Sequence, residues 1–269
     1  MYRIKITHAG DYMMIQKHAA ISFGAPGKKR KKRMSETKEA QKKNNQKKKA
    51  EKLQLLMLMN FNKGYHVVLR YPKGNQGCTY REAEKNLTNF LDKTRRQLKA
   101  LGRPFKFIAI TERGKRREAL HHHMVIPDDP DLLALIRKNW GNNFEVISMY
   151  EEGAYKELAE YFVKVETKEE AEKGKSKYHR SRNLQKPLEK SAITTKKWQE
   201  EPEIPKGYEL VKDSFESGKI EALGGLPYQK YMVKRSGKKE EAKPAPKKKG
   251  ILKKIFGKAK SLLGGRRAP

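Results

Sequence analysis

The sequence predicts an α+β fold: a ferredoxin-like or RRM-like antiparallel sheet of strand, helix, strand, strand, helix, strand order (βαββαβ), with helices on one face and basic helical and disordered flanks. Three observations predict it. Four short runs rich in β-branched and aromatic residues lie between positions 65 and 149, runs of helical spacing follow the first and third of them, and lysine dominates outside that region. The predicted divisions are a basic N-terminal arm with a helix (1–60), the α+β domain (61–170), a polar extension with small packed segments (171–235), and a basic linker with a terminal amphipathic helix (236–269).

Residues 1–27 mix apolar and polar positions without a clear period, and 24–27 with Pro26 break the chain before the basic run 28–33 (KKRKKR). Residues 35–59 are helix-permissive and rich in Lys and Gln, with Leu53, Leu55, Leu56, Met57, Leu58 and Met59 gathered at the end. Charge density favours a cationic arm following phosphates over a solvated helix that docks by its last turns. The run 65–71 (YHVVLRY) predicts the first strand, stopped by Pro72. Residues 80–101 predict a helix, with Leu87, Phe90, Leu91 and Leu98 on one face and Gly102 as its stop. The runs 105–112 (FKFIAITE) and 120–126 (LHHHMVI) predict the next two strands, joined by a tight reversal at Gly114. A helix over 130–140 ends at Gly141, a fourth strand spans 143–149, and a last helix runs from about 153 to 166.

In this topology the first and third strands form the central pair, and the sheet face away from the helices is expected to be partly open. The stretch 173–183 predicts a loop, and 203–231 small packed pieces, notably GYELV and GGLPYQKYMV. Residues 236–250 predict a linker, and 251–263 a short amphipathic helix with one lysine-rich face, suited to a membrane surface, a partner protein, its own domain or DNA.

Of 269 residues, 63 are Lys or Arg and 31 Asp or Glu, a net charge of +32 that points to a polyanionic partner. With 36% hydrophobic residues the chain has apolar material for one ordinary core. No apolar run reaches the length of a membrane span and the N-terminus has no apolar leader, so nucleic acid fits better than a membrane and the expected location is cytoplasmic. Cys78 is the single cysteine, which excludes an intramolecular disulfide and any Cys-rich zinc site.

The triplet His121, His122, His123 carries the sharpest chemical signal. On a strand, side chains alternate faces, so His121 and His123 point the same way, roughly 6.5 to 7 Å apart along the strand. Together they can hold one divalent ion, while His122 joins Leu120 and Met124 on the opposite face in place of a core aromatic. A hard ion such as Mg²⁺ or Mn²⁺ also wants oxygen, and Glu112, at the end of the preceding strand, is placed to supply it. Tyr161 and Lys164, three apart on the last helix, share a face. That pairing suits a nucleophilic phenol with a cation for the phenolate or a phosphate; Tyr155 on the same helix is the fallback nucleophile.

The combination of HVVLRYP (66–72), FIAITERG (107–114), LHHHMVI (120–126) and EYFVK (160–164) resembles the rolling-circle replication initiators of the HUH endonuclease group. The likeness extends to GAPGKKRKKR upstream and YHRSRNLQKP downstream, and is strongest to the replication-associated proteins of bacterial plasmids, filamentous phages and integrative elements. Two departures stand out: His122 occupies the middle position, usually apolar or aromatic, and one YxxK tyrosine appears where some phage initiators have a pair. The resemblance implies an enzyme that cuts one DNA strand at a replication origin, links Tyr161 to the 5′ phosphate, frees a 3′ hydroxyl for a polymerase and later rejoins the strand. It implies single-stranded origin DNA, a host polymerase and a second subunit or water for the second cut as partners. With no GxxxxGK[ST] loop, unwinding falls to a partner helicase.

Two other readings remain open on the sequence. One is a non-catalytic DNA- or RNA-binding protein using the open sheet face, with Tyr65, Tyr71, Phe105 and Phe107 as stacking residues. The other is a single-tyrosine transposase built on the same chemistry.

Overall fold

The structure is a computed structural model describing residues 1–19, 39–61, 63–72, 79–114, 119–149, 152–164, 178–220 and 225–237. In chain order the elements are β1 (Tyr2–Ala9), β2 (Tyr12–Ala19), α1 (Glu39–Asn60), β3 (Tyr65–Arg70), α2 (Tyr80–Ala100), β4 (Ile108–Arg113), β5 (Leu120–Ile126), α3 (Pro130–Trp140), β6 (Phe144–Ser148), a 3-10 turn (Glu152–Tyr155), α4 (Lys156–Lys164), β7 (His179–Arg180), β8 (Leu188–Thr194), β9 (Tyr208–Leu210), β10 (Glu216–Ile220) and β11 (Leu226–Arg235). The basic run 28–33, the amphipathic segment 251–263 and all but Ser236 and Gly237 of the expected linker lie outside the described residues.

The predicted α+β sheet is present. Its order is β6-β3-β5-β4-β7, with every pair antiparallel and β3 and β5 side by side at the centre. This is the ferredoxin-like order with β7 added at the β4 edge. A capping box starts α2, in which the Thr79 hydroxyl accepts from the Glu82 N–H while the Glu82 carboxylate accepts from the Thr79 N–H. Asp129 caps α3, whose first residue is Pro130. Gly64 precedes β3 where a Cβ would come within 2.3 Å of the Ile126 carbonyl, so no larger residue lets the central strands approach this closely.

Helices α2 and α3 cover one face through Leu87, Phe90, Leu98, Leu132 and Ile136 packed on Val67, Leu69, Met124 and Ile126. The opposite face, expected to be partly open, is covered as well. Ile108, Ile110 and Val125 pack there with Phe162 and Val163 of α4 and with α1. Phe105 and Phe107 lie buried in the α2/α3 core, so they are not exposed platforms for stacked bases.

The sequence reading missed a second sheet, ordered β10-β11-β2-β1-β8 with β9 on β11. Residues 1–19 are therefore a hairpin within a sheet rather than part of an arm. Their two-residue turn, Gly10-Asp11 with Gly10 at φ 62°, is a hairpin signal, but the strands lack clean alternation. Met13 and Ile15 pack with Tyr231 and Val233, while Tyr12 and Met14 pack on α1, so neither face of β2 is left polar. Within this sheet buried Lys17 pairs with Glu203 and lies 6.0 Å from the ring centres of Tyr2 and Tyr231.

Helix α1 corrects the cationic-arm reading in its second half. Residues 42–49 are exposed, yet Leu53, Leu55, Leu56, Met57 and Leu58 are all buried, between the second sheet on one side and α4 with the first sheet on the other. A helix enclosed on two sides needs apolar residues all round, which explains the unbroken run. Leu53→Ala is expected to cost about 2–5 kcal/mol in chemical denaturation. A loss within the scatter of surface substitutions would put this helix outside the core.

Candidate active site

The register of the central strands assembles the site. Glu112 of β4 and Arg70 of β3 flank His121 of β5; one step along the same face, Ile110 and Val68 flank His123. Opposite them, α4 lays Phe162 against the sheet and presents Tyr161. Two consecutive residues in the left-handed region, Ala154 (φ 49°) and Tyr155 (φ 59°), turn the chain into α4, and Gln54 of α1 donates to the Ala154 carbonyl at 2.8 Å. Strain of that kind persists only where surrounding contacts impose it.

Ligand atoms of Glu112, His121 and His123 lie within 4.8 Å of one another. His121 Nε2 is 3.3 Å and His123 Nε2 3.0 Å from the same Glu112 oxygen. The Tyr161 hydroxyl donates to that oxygen and lies 2.9 Å from His123 Nε2. On their far sides, His121 Nδ1 is 3.3 Å from the Ala119 carbonyl and His123 Nδ1 is 3.0 Å from His66 Nε2.

Burial alone would raise the Glu112 carboxyl, but hydrogen bonds from His121, His123 and Tyr161 outweigh it and hold the group well below the usual carboxylate range. Burial, reinforced by the bond to Glu112, pushes the Tyr161 phenol above its ordinary value. His66 is lowered to about 4, chiefly by burial and then by neighbouring His123.

This donor set fits a divalent cation. A carbonyl can only accept, so His121 donates from Nδ1, and in the neutral ring its Nε2 is left as a lone pair 3.3 Å from a carboxylate oxygen. Two acceptors so placed call for positive charge between them. Two imidazoles and one carboxylate are a mixed N/O set that leaves coordination positions open, as a catalytic site requires.

Lys164 is exposed at the end of α4, one turn on from Tyr161. Tyr155, the fallback nucleophile, is buried and its hydroxyl donates to the Phe61 carbonyl at 3.4 Å. His122 points to the opposite face, as its position in the strand implies, and is fully buried between the Tyr71 hydroxyl and Thr111 Oγ1, each 2.9 Å away. Burial lowers its pKa to about 4. Sequence reasoning missed His66: it is a histidine inside an apolar central strand, the same signal that singles out the triplet.

Behind His122, Thr111 donates to Glu84 of α2, and Glu84 pairs with His179 of β7 at 2.6 Å. The bond to Glu84 raises His179 despite burial. Glu84 is lowered, because bonds from His179 and Thr111 outweigh the upward push of burial. The His179 contribution to stability is complete below its unfolded value of 6.5 and is lost as pH rises through the higher folded value; that of Glu84 is complete above 4.5 and is lost as pH falls through the lower folded value. The melting-temperature gap between wild type and His179→Ala should therefore be widest between pH 4.5 and 6.5 and narrow on alkaline titration. A gap independent of pH would remove charge from this link.

The site opens into a cleft of about 1440 Å³, lined by His66, His121, His123 and Tyr161, by Lys230 and Lys234 of β11 and by Lys212 just after β9, among several carboxylates.

A family model matches the stretch that builds this centre. Residues 64–170 match the family of replication-associated proteins of the ORF2 type. The match spans β3 through α4, with Glu112, His121, His123 and Tyr161 inside it, and covers less than half of the chain. It supports a replication initiator of the Rep type, a class of protein that works on DNA. Among the described residues no helix is long and apolar enough to cross a membrane. No curated protein and no solved structure matches the chain.

Proposed function

We propose that this chain initiates rolling-circle replication as a metal-dependent endonuclease of the HUH group, cutting single-stranded DNA at an origin through Tyr161 and later rejoining it. One observation carries the reading: the Tyr161 hydroxyl touches both Glu112 and His123, so nucleophile and cation ligands share one point.

In the reaction the phenol oxygen bonds to the scissile phosphorus as the 3′-side oxygen leaves with a proton. The products are a 5′-phosphotyrosine and a free 3′ hydroxyl, and attack by that hydroxyl on the phosphotyrosine reverses the step. Glu112, His121 and His123 would hold Mg²⁺ or Mn²⁺, which when bound polarises the phosphate and offsets charge developing on it. Tyr161 is aimed by its edge-on contact with His123, with ring centres 5.0 Å apart at 84°, and by the bond to Glu112. Lys164, one turn further on, is assigned the phosphate oxygens or the phenolate. Of the lysines on the cleft wall Lys230 is paired with Glu51 and Glu216, and Lys212 and Lys234 suit the phosphates of a strand passing the phenol. A single site tyrosine leaves the second cut to water or a second subunit, and a host helicase and polymerase supply unwinding and synthesis.

The test incubates the full chain with labelled single-stranded origin candidates and Mn²⁺ and looks for a covalent adduct on denaturing gels. An adduct together with a released 3′ hydroxyl fragment is expected. Metal-independent binding with no cleavage of any candidate would overturn the reading in favour of a plain nucleic-acid binder.

A further inference from the structure

We propose that His66 is a positioning residue of the metal centre: its Nε2 accepts a hydrogen bond from His123 Nδ1, and so fixes the tautomer in which the His123 Nε2 lone pair faces the cation. The inference deepens the metal reading above and rests on it.

Both candidate imidazole ligands use their rings in the same way. Each turns Nδ1 toward the protein and Nε2 toward Glu112. For His121 the partner is the Ala119 carbonyl, an obligatory acceptor, so the proton is held on Nδ1 and Nε2 is left for a metal. For His123 the partner is a second imidazole, His66 Nε2, 3.0 Å away. An imidazole can accept at Nε2 when its own proton lies on Nδ1, and His66 then does for His123 what the carbonyl does for His121. Without an acceptor there, the His123 proton is free to sit on Nε2, where it blocks the lone pair a metal needs.

The packing makes this bond directional. The two rings stack with centres 5.2 Å apart and planes 26° from parallel. Fully buried Phe162 meets both edge-on, 6.2 Å from His66 and 6.3 Å from His123, and packs the pair from one side. Strand pairing fixes the backbone: His66 is opposite Val125 and His123 opposite Val68, which makes the two histidines diagonal neighbours on one face of the central pair. His66 touches Glu112 and Tyr161 in none of these contacts, which makes its role indirect.

Two substitutions separate the hydrogen bond from the ring. His66→Phe keeps an aromatic ring against His123 and Phe162 and removes the acceptor; His66→Gln keeps an acceptor oxygen near the Nε2 position and removes the ring. Mn²⁺ binding to the full chain is measured by calorimetry without DNA, beside a thermal unfolding curve for each variant. His66→Phe is expected to weaken Mn²⁺ affinity about 10- to 100-fold, the range seen when an outer partner of a ligating histidine is lost. His66→Gln should bind close to wild type even if it unfolds earlier. Should the Phe variant fail to fold, His66→Leu carries the same test. Wild-type affinity in the Phe variant overturns the proposal, and equal weakening in both variants overturns it in favour of ring packing. If the wild type binds no Mn²⁺, the metal centre itself falls, and the proposal with it. A wild type that binds Mn²⁺ but cuts no DNA sinks the nuclease reading alone.

Discussion

Tyr161→Phe is expected to abolish the covalent DNA adduct, a loss of roughly 10⁴-fold or more in the cleavage step, since removing a covalent nucleophile takes away the bond the reaction is built on. The substitution is mild in every other respect. The ring is partly buried, packs against the core cluster and meets His123 edge-on, and phenylalanine keeps those contacts. Glu112, His121 and His123 remain, so Mn²⁺ binding should persist while the adduct disappears. Tyr155→Phe supplies the contrast: it removes a hydroxyl that donates to the Phe61 carbonyl inside the core, costing about 1 kcal/mol of stability and leaving the adduct intact. An adduct that survives Tyr161→Phe and vanishes in Tyr155→Phe would move the nucleophile to the start of the helix, and one that survives both would end the tyrosine mechanism. The Tyr161 phenol is held above its ordinary value by burial and by Glu112, so at neutral pH the site without a cation contains the protonated phenol. A cation shared by the same carboxylate removes much of that restraint, which makes the expected adduct strictly dependent on Mg²⁺ or Mn²⁺.

The parts of this molecule legible in the sequence are those whose signal is local. Strand β5 announces itself because a period of two and flanking apolar residues place His121 and His123 on one face and His122 on the other, and both placements are found. The sequence places Glu112 across from the start of the histidine strand, and the register pairs it with His121. The second sheet was not legible, for two physical reasons. Its strands come from opposite ends of the chain, so that Tyr2 pairs with Thr194 and Ile15 with Tyr231, and no local pattern announces a pairing of that separation. Its central strand β2 is covered on both faces, which erases the alternation that would mark it. The run Leu53 to Met59 misled in the same way: next to nine lysines and glutamines in residues 38–52 it resembles the docked end of an arm, when it is the layer between two sheets. His66 was overlooked because a lone histidine in a strand carries no spacing; its meaning comes from a neighbour 57 positions away.

The same geometry decides which of the three adjacent histidines could hold a cation, and the second large effect follows from it. His123→Ala removes a proposed ligand whose Nε2 meets both Glu112 and the phenol, and is expected to lower Mn²⁺ affinity by at least about 100-fold, beyond the loss of an outer partner. Nicking should fall with it, because with one imidazole gone the remaining pair cannot hold the ion at the phosphate while Tyr161 attacks. Glu112→Gln should be comparably severe: a neutral amide keeps the size of the side chain but loses the charge that the two rings and the phenol converge on. His122→Phe makes the opposite prediction. Its ring is fully buried on the far face between Tyr71 and Thr111, so phenylalanine removes two buried hydrogen bonds and costs about 1–3 kcal/mol of stability, with little change in Mn²⁺ affinity. Since burial holds His122 neutral down to about pH 4 while an unfolded histidine protonates near 6.5, the wild type loses stability as pH falls through that interval, and the variant should lose less. Calorimetric titration of the three variants with Mn²⁺, beside unfolding at pH 7 and pH 5, separates ligand from core residue. Affinity lost in His122→Phe and retained in His123→Ala would reverse the faces of the strand and remove the cation from the side of the phenol.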